Sequence, residues 1–200
     1  FVATYGLKHF KISIHALEVL TQYSSSEFAI RPFLRDYPEA TVSQMELWSK
    51  HENEHVRRLS SEGIRPLLPW SFKLTDFLDY PQVSKQILTN LNNDESLYVG
   101  KSVGNHLNDL TKKHAGFVMD LIHSWGSSQE HTSWLIKKGL RTLIKKGDKR
   151  VLEYLGYLNP TMIVVGKVKM TPDKFEIGKE TLFSFEILNQ SSNEVPLLIY

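Results

Sequence analysis

Apolar residues over most of this chain recur at the spacing of one helix face. Leu17, Leu20, Ile30, Phe33 and Leu34 follow this rhythm, as do Val83, Ile87, Leu88 and Leu91, and then Val99, Val103, Leu107 and Leu110. Spacings near three and four predict helices that bury one side. Pro38 and Pro81 stand where a proline can open a helix, because a first-turn N–H has no intrahelical partner. Gly147-Asp148 and Gly156 punctuate later helices. The rhythm changes near Asn159-Pro160. Met162-Ile163-Val164-Val165 is short and β-branched, and Thr181 to Ile187 alternates polar with apolar; both predict strands. Asp173, Gly178 and Asn189 to Asn193 read as turn material.

The helical part carries a loose repeat. Asn53-Glu54-His55-Val56-Arg57-Arg58 recurs as Ser96-Leu97-Tyr98-Val99-Gly100-Lys101 and again as Ser133-Trp134-Leu135-Ile136-Lys137-Lys138. Val56, Val99 and Ile136 are 43 and 37 residues apart. HEAT-like units of paired helices run about 40 to 47 residues, so the first interval fits and the second is short. Such units bury their apolar faces on their neighbours, as stacked antiparallel pairs. Similar amphipathic helices would give the same likeness by coincidence.

The chain has 200 residues, 41% of them hydrophobic, and no apolar run approaches a membrane span. This favours a globular domain, or one domain and part of another, with a cytoplasmic location and no membrane partner. Phe1 to Phe10 lacks the basic and apolar segments of a secretory signal. With no cysteine, disulfides, thiol catalysis and thiolate metal sites are excluded. Net charge is +2, unevenly distributed. Residues 101–150 hold ten Lys/Arg against four Asp/Glu, while the stretches on either side are each −2. A basic stretch of this kind attracts phosphates, although an ordinary solvated helix surface reads the same way.

His51-Glu52-Asn53-Glu54-His55 matches H-E-x-x-H, the spacing that places two zinc-binding imidazoles on one helix face. The match is discounted. Asn53 is a good N-cap, and a helix starting there leaves His51 outside it. No third ligand is evident, so no metal and no cofactor are expected. A zinc peptidase remains a distant alternative.

The stretch WSKHENEHVRRLSSEGIRPLLPW (48–70), with YVGKSVGNHLNDL (98–110) and LRTLIKKGDKR (140–150), resembles the AlkC branch of the HEAT-like DNA glycosylases. The likeness covers most of residues 24–158. The tail GKVKMTPDKFEIGKETLFSFEILNQSS is similar to the start of the Ig-like domain that some members carry. The resemblance implies a mainly α fold: a HEAT-like α-solenoid over 1–159, lacking N-terminal helices, and the first strands of an Ig-like β-sandwich over 160–200. It implies hydrolysis of the N-glycosidic bond of cationic alkylated bases such as 3-methyladenine, by a monomer acting on double-stranded DNA. The base is thought not to be flipped into a pocket.

That chemistry asks for recognisable residues. A cationic base leaves without much acid catalysis, and the sugar becomes cationic in the transition state. Carboxylates stabilise that charge and aim a water. An aromatic face offers a cation–π contact, and Arg and Lys hold phosphates. The resemblance places the first roles on Glu27, Glu62, Trp70 and Asp109, and DNA binding on Arg58, Arg65, Lys101, Lys137, Lys138, Arg141, Lys145 and Lys146. Glu27 follows three serines and could open a helix. Glu62 lies four after Arg58 and three before Arg65, so one helix face would hold all three. Trp70 follows Pro66 and Pro69, in a segment suited to a loop. Asp109 ends a polar run on a helix facing the concave side. Lys137, Arg141 and Lys145 share four-residue spacing. Each could instead be structural: a helix-start Glu, a salt-bridge ladder, a core-capping Trp, a helix-stabilising Asp. Trp48, Trp125 and Trp134 read as core, and His106 as a hydrogen-bonded structural residue. Members commonly carry an Arg where this chain has Leu67, and two Arg where it has Gly100-Lys101, which removes phosphate contacts. A non-catalytic HEAT-like scaffold that binds protein or DNA is the competing reading.

Overall fold

The computed structural model describes residues 1–126, 130–157, 162–174, 176–192 and 194–197. The Asn159-Pro160 boundary and Asn193 lie outside them. The chain divides into two compact units, Phe1–Lys146 and Gly147–Tyr200.

The first unit is helical. Its helices are α1 (Val2–Tyr5), α2 (Phe10–Thr21), α3 (Arg31–Asp36), α4 (Pro38–Trp48), α5 (Glu54–Glu62), α6 (Thr75–Asp79), α7 (Lys85–Asn90), α8 (Leu97–Thr111), α9 (Ala115–Trp125) and α10 (Glu130–Lys145). They form two packed rows. One row runs α2, α5, α8, α10, each in contact with the next; the other runs α3, α4, α7, α9. Val56, Val99 and Ile136, the equivalent positions of the loose repeat, all fall in the first row and are at most 1% exposed. Leu17, Leu59, Val103, Leu107, Leu110 and Leu140 complete its core. Full burial of such side chains stabilises by about 1.5–3 kcal/mol each, so this seam holds the row together.

Local signals explain several boundaries. Pro38 occupies the first turn of α4, whose Thr41, Met45 and Trp48 turn inward at one-face spacing. Pro81 opens a 3-10 turn, Pro81–Ser84, before α7 begins at Lys85. Asn53 caps α5 by accepting from the His55 N–H at 2.9 Å. Leu20 departs from expectation: it is 49% exposed, because the buried stripe of α2 is Ser13, Ile14, Leu17 and Thr21. Helices α8 and α10 approach closely at two glycines. A Cβ on Gly139 would stand 2.8 Å from Leu107 Cβ, and one on Gly104 2.9 Å from Lys138 Cδ.

The second unit holds α11 (Lys149–Tyr154) and an antiparallel pair, β1 (Ile163–Thr171) and β2 (Leu182–Asn189). Asp148 caps α11 by accepting from the Arg150 N–H. The pair runs from Ile163 opposite Asn189 to Thr171 opposite Leu182, with an irregularity between Gly166 and Lys169. Val164, Val165, Val168, Leu182, Phe183 and Leu188 are all exposed. No helix among the described residues is long and apolar enough to cross a membrane.

Candidate functional site

Five of the singled-out residues form one continuous ladder of charge in the helical unit. Arg58 and Glu62 stand one turn apart on α5, and Arg65 follows just past its end. Glu27 comes from the turn before α3, and Asp109 from the buried side of α8. Arg58 Nη2 contacts Glu27 Oε2 at 2.6 Å and lies 3.8 Å from Glu62 Oε1. Arg65 Nη1 donates to Glu62 Oε1 at 2.6 Å. Arg65 then reaches Asp109 with two bonds, Nε to Oδ2 at 3.0 Å and Nη2 to Oδ1 at 3.3 Å. Glu62, Arg65 and Asp109 are each at most 6% exposed. Ser25 Oγ donates to Glu27 and accepts from Arg58 Nη1, and the Arg58 guanidinium lies 4.6 Å from the centre of the Tyr98 ring.

Three carboxylates thus meet two guanidiniums by direct contact in a mostly dry cluster, with the cations Arg31, Lys138 and Arg141 close enough to act on Arg65. In such surroundings a carboxylate next to a developing cation acts on it more strongly than it would in bulk water. Glu27 does not open a helix as expected. It lies in a turn whose Ile30 N–H donates to Ser26 O, and α3 begins only at Arg31. Trp70 is 97% exposed with φ of +62°, so the proline-rich loop does project the indole.

The basic residues divide into two sets. Lys138 and Arg141 of α10 lie within charge range of Arg65, and Lys138 also feels Lys101 of α8. Burial and then the neighbouring cations lower the pKa of Lys138. Burial also lowers that of Arg141, opposed by Asp109. Of the basic residues singled out on α10, Lys138 and Arg141 therefore lie nearest the charge ladder. Lys137, Lys145 and Lys146 are exposed.

Several other expectations need correction. Trp134 is 41% exposed, with Lys138 Nζ 5.7 Å from its ring centre. Trp48 is buried, as expected, with its indole N–H donating to Glu18. Trp125 is half-buried and donates to Thr89. His106 is fully buried, yet neither ring nitrogen has a hydrogen bond of normal geometry, although the Ser61 backbone faces the ring. The His51 ring accepts from the Asn53 N–H outside α5, so His51 and His55 do not share a helix face. Among the described residues no group of three or more potential ligands is placed to hold a metal ion. Sequence reasoning missed Ser25, Tyr98 and Arg31, the last a fully buried arginine beneath Arg65.

His106 gives a pH prediction. Burial, then the charge of Arg65, pushes its pKa from 6.5 down to about 3. The unfolded chain therefore binds this proton at a higher pH than the folded one. The corresponding stability is present above pH 6.5 and is lost as pH falls toward the folded pKa. From this residue alone, about 2 kcal/mol should disappear between pH 7 and pH 5. Urea unfolding of wild type and His106→Leu at both pH values measures it. The variant should lose less, and equal losses would place the acid sensitivity elsewhere.

No family model matches the chain. Among curated proteins it is 45% identical over 195 residues to YhaZ of Bacillus subtilis (strain 168), an uncharacterised protein. The match covers 98% of this chain and 55% of that one. Among solved structures it is similar to the Pseudomonas fluorescens alkylpurine DNA glycosylase AlkC bound to DNA containing an abasic site analog, with TM-score 0.90 and 44% identity. That match covers 93% of this chain and 52% of the other. The chain thus spans about half the length of each protein it matches, and over that span it is similar to AlkC in both sequence and fold.

Proposed function

We propose that this chain carries the active site of a DNA glycosylase that hydrolyses the N-glycosidic bond of cationic alkylated purines, of the 3-methyladenine type, in duplex DNA. The observation that carries the reading is the convergence of Glu27, Glu62 and Asp109 with Arg58 and Arg65 in a chain similar to a DNA-bound AlkC.

The C1′–N bond breaks with both electrons going to the base, which is already positive and leaves neutral. The sugar takes the positive charge. Glu27 and Glu62 stabilise it electrostatically, and one of them aligns a water. As the water oxygen bonds to C1′, its proton passes to that carboxylate and then to solvent. Asp109 acts through Arg65, keeping its guanidinium turned to Glu62. Arg58 contacts Glu27 from a partly buried position, its side chain 15% exposed, and can also meet a phosphate. Trp70, exposed on its loop, supplies a cation–π face to the positive base. HEAT-like packing of residues 1–159 and an Ig-like identity for 160–200 belong to the same reading. The exposed apolar side chains of β1 and β2 support the latter, since an isolated two-stranded ribbon is at best marginally stable in water. The protein acts as a cytoplasmic monomer in this reading.

A non-catalytic scaffold is favoured by one observation: both Glu27 and Glu62 already have arginine partners. Alkali-sensitive abasic sites decide between the readings. The glycosylase forms them in methylated duplex and not in unmodified duplex; a scaffold forms them in neither.

The basic cluster gives a second expectation. Lys101, Lys138 and Arg141 should contact phosphates, joined by some of Lys137, Lys145 and Lys146. Neutralising one contacting residue should lower the slope of log affinity against log salt by about one unit. Slopes unchanged across all six variants would assign this charge to a solvated face.

A further inference from the structure

We propose that Arg31 is a positioning residue: one buried guanidinium ties together the segments that carry Glu27, Glu62 and Trp70. This rests on the glycosylase reading.

Arg31 is the first residue of α3, four positions after Glu27, and is 0% exposed. Its Nη1 donates to Gly63 O at 2.9 Å and Arg65 O at 2.8 Å, the carbonyls just past Glu62. Its Nη2 donates to Phe72 O, two residues after Trp70, and its guanidinium lies 5.3 Å from the centre of the Phe72 ring. One side chain therefore links the Glu27 turn, the end of α5 and the Trp70 loop.

Two observations point beyond a purely structural role. Trp70 has a left-handed backbone and a nearly fully exposed side chain, so its own packing does not hold that strained conformation. The Arg31 bond to Phe72 O and the Leu74 N–H to Pro66 O bond anchor the loop. The second observation is electrostatic. Burial, then the charge of Arg65, lowers the Arg31 pKa to about 10, against support from Asp109, so the group remains charged at neutral pH. A cation buried beside another cation gains no stability from that repulsion, so its value here lies in the bonds its guanidinium makes. A planar fork can satisfy three carbonyls from separated segments at once; an ammonium on a flexible stem reproduces the charge without that geometry. Having no exposed surface, Arg31 touches neither DNA nor base, and acts by setting where Glu62 and Trp70 stand.

The test is Arg31→Lys in the full chain, which keeps the charge and loses the fork. Amide hydrogen exchange over residues 66–74 should quicken while α8 and α10 stay protected. Affinity for duplex bearing a neutral abasic analogue should change less than the chemistry. Single-turnover release of 3-methyladenine by saturating protein should fall roughly 10- to 100-fold, the scale of a small misplacement. Arg31→Ala, measured where circular dichroism shows it fully folded with and without guanidinium, should regain part of its rate in millimolar guanidinium, which a change in the folded fraction cannot produce. If Arg31→Lys releases base at the wild-type rate, or slows only in proportion to an unfolded fraction, the positioning role is overturned. If the wild type releases no base, the glycosylase reading fails and takes this proposal with it.

Discussion

Glu62→Gln should lower single-turnover excision of 3-methyladenine by about 10²–10³ while leaving affinity for DNA nearly intact. Glu62 is buried and receives the Arg65 Nη1 donor at 2.6 Å. Gln keeps the shape and an acceptor oxygen for that donor, and Arg65 keeps both bonds to Asp109. The ladder should therefore remain assembled. What is lost, in the proposed mechanism, is a negative charge beside the reacting sugar. That charge matters most once the sugar is cationic, so the loss falls on the transition state and not on the ground-state complex. Glu27→Gln should act in the same direction. The two losses need not add, because both residues contact Arg58 and would stabilise one developing charge. Rates measured beside binding to a non-cleavable abasic analogue separate the effects. Wild-type excision by Glu62→Gln would make Glu62 a salt-bridge residue.

Asp109→Ala should show its largest effect on folding. Asp109 is 4% exposed and holds Arg65 with two bonds. Its charge also supports Arg31 and Arg141. Without it, these guanidiniums repel one another with Glu62 as the nearby carboxylate in contact with Arg65. Removing one member of a buried pair typically costs about 3–5 kcal/mol, because the remaining charge loses its compensation. Asn, which retains an acceptor oxygen, should cost less. Urea unfolding of the helical unit compares the two. A loss of about 1 kcal/mol or less would rank the pair with exposed bridges.

Features governed by short-range chemistry were legible in the sequence. Pro38 in the first turn of α4, the Asn53 cap and the inward face of α8 each follow from residues within a few positions of one another. So does the Arg58, Glu62, Arg65 triplet, whose spacing on one helix places its members together. The strand pair was legible from β-branched and alternating residues, and the structure pairs them antiparallel. Arg31 was not legible. Its acceptors are backbone carbonyls 32 to 41 residues away, and a carbonyl leaves no mark in the side-chain sequence. Which of the neighbouring Lys137 and Lys138 lies toward Arg65 was not legible for a similar reason. It depends on the rotation of α10, which is fixed where Gly104 and Gly139 let α8 approach. The position of Glu27 after three serines is compatible with a helix start, but the chain first makes the turn in which the Ile30 N–H donates to Ser26 O.

The most direct test of the central claim compares two binding constants. Duplex DNA carrying a cationic azasugar mimics the charged sugar of the transition state; the same duplex with a neutral tetrahydrofuran abasic site does not. If Glu27 and Glu62 stabilise that charge, the wild-type chain should bind the azasugar duplex more tightly, by at least the roughly 10²-fold lower bound typical of transition-state mimics. The preference should collapse toward unity in Glu27→Gln/Glu62→Gln, with neutral-duplex affinity little changed. Equal affinity of the wild type for both duplexes, or a preference that survives in the double variant, would contradict the assignment of this carboxylate cluster as the active site.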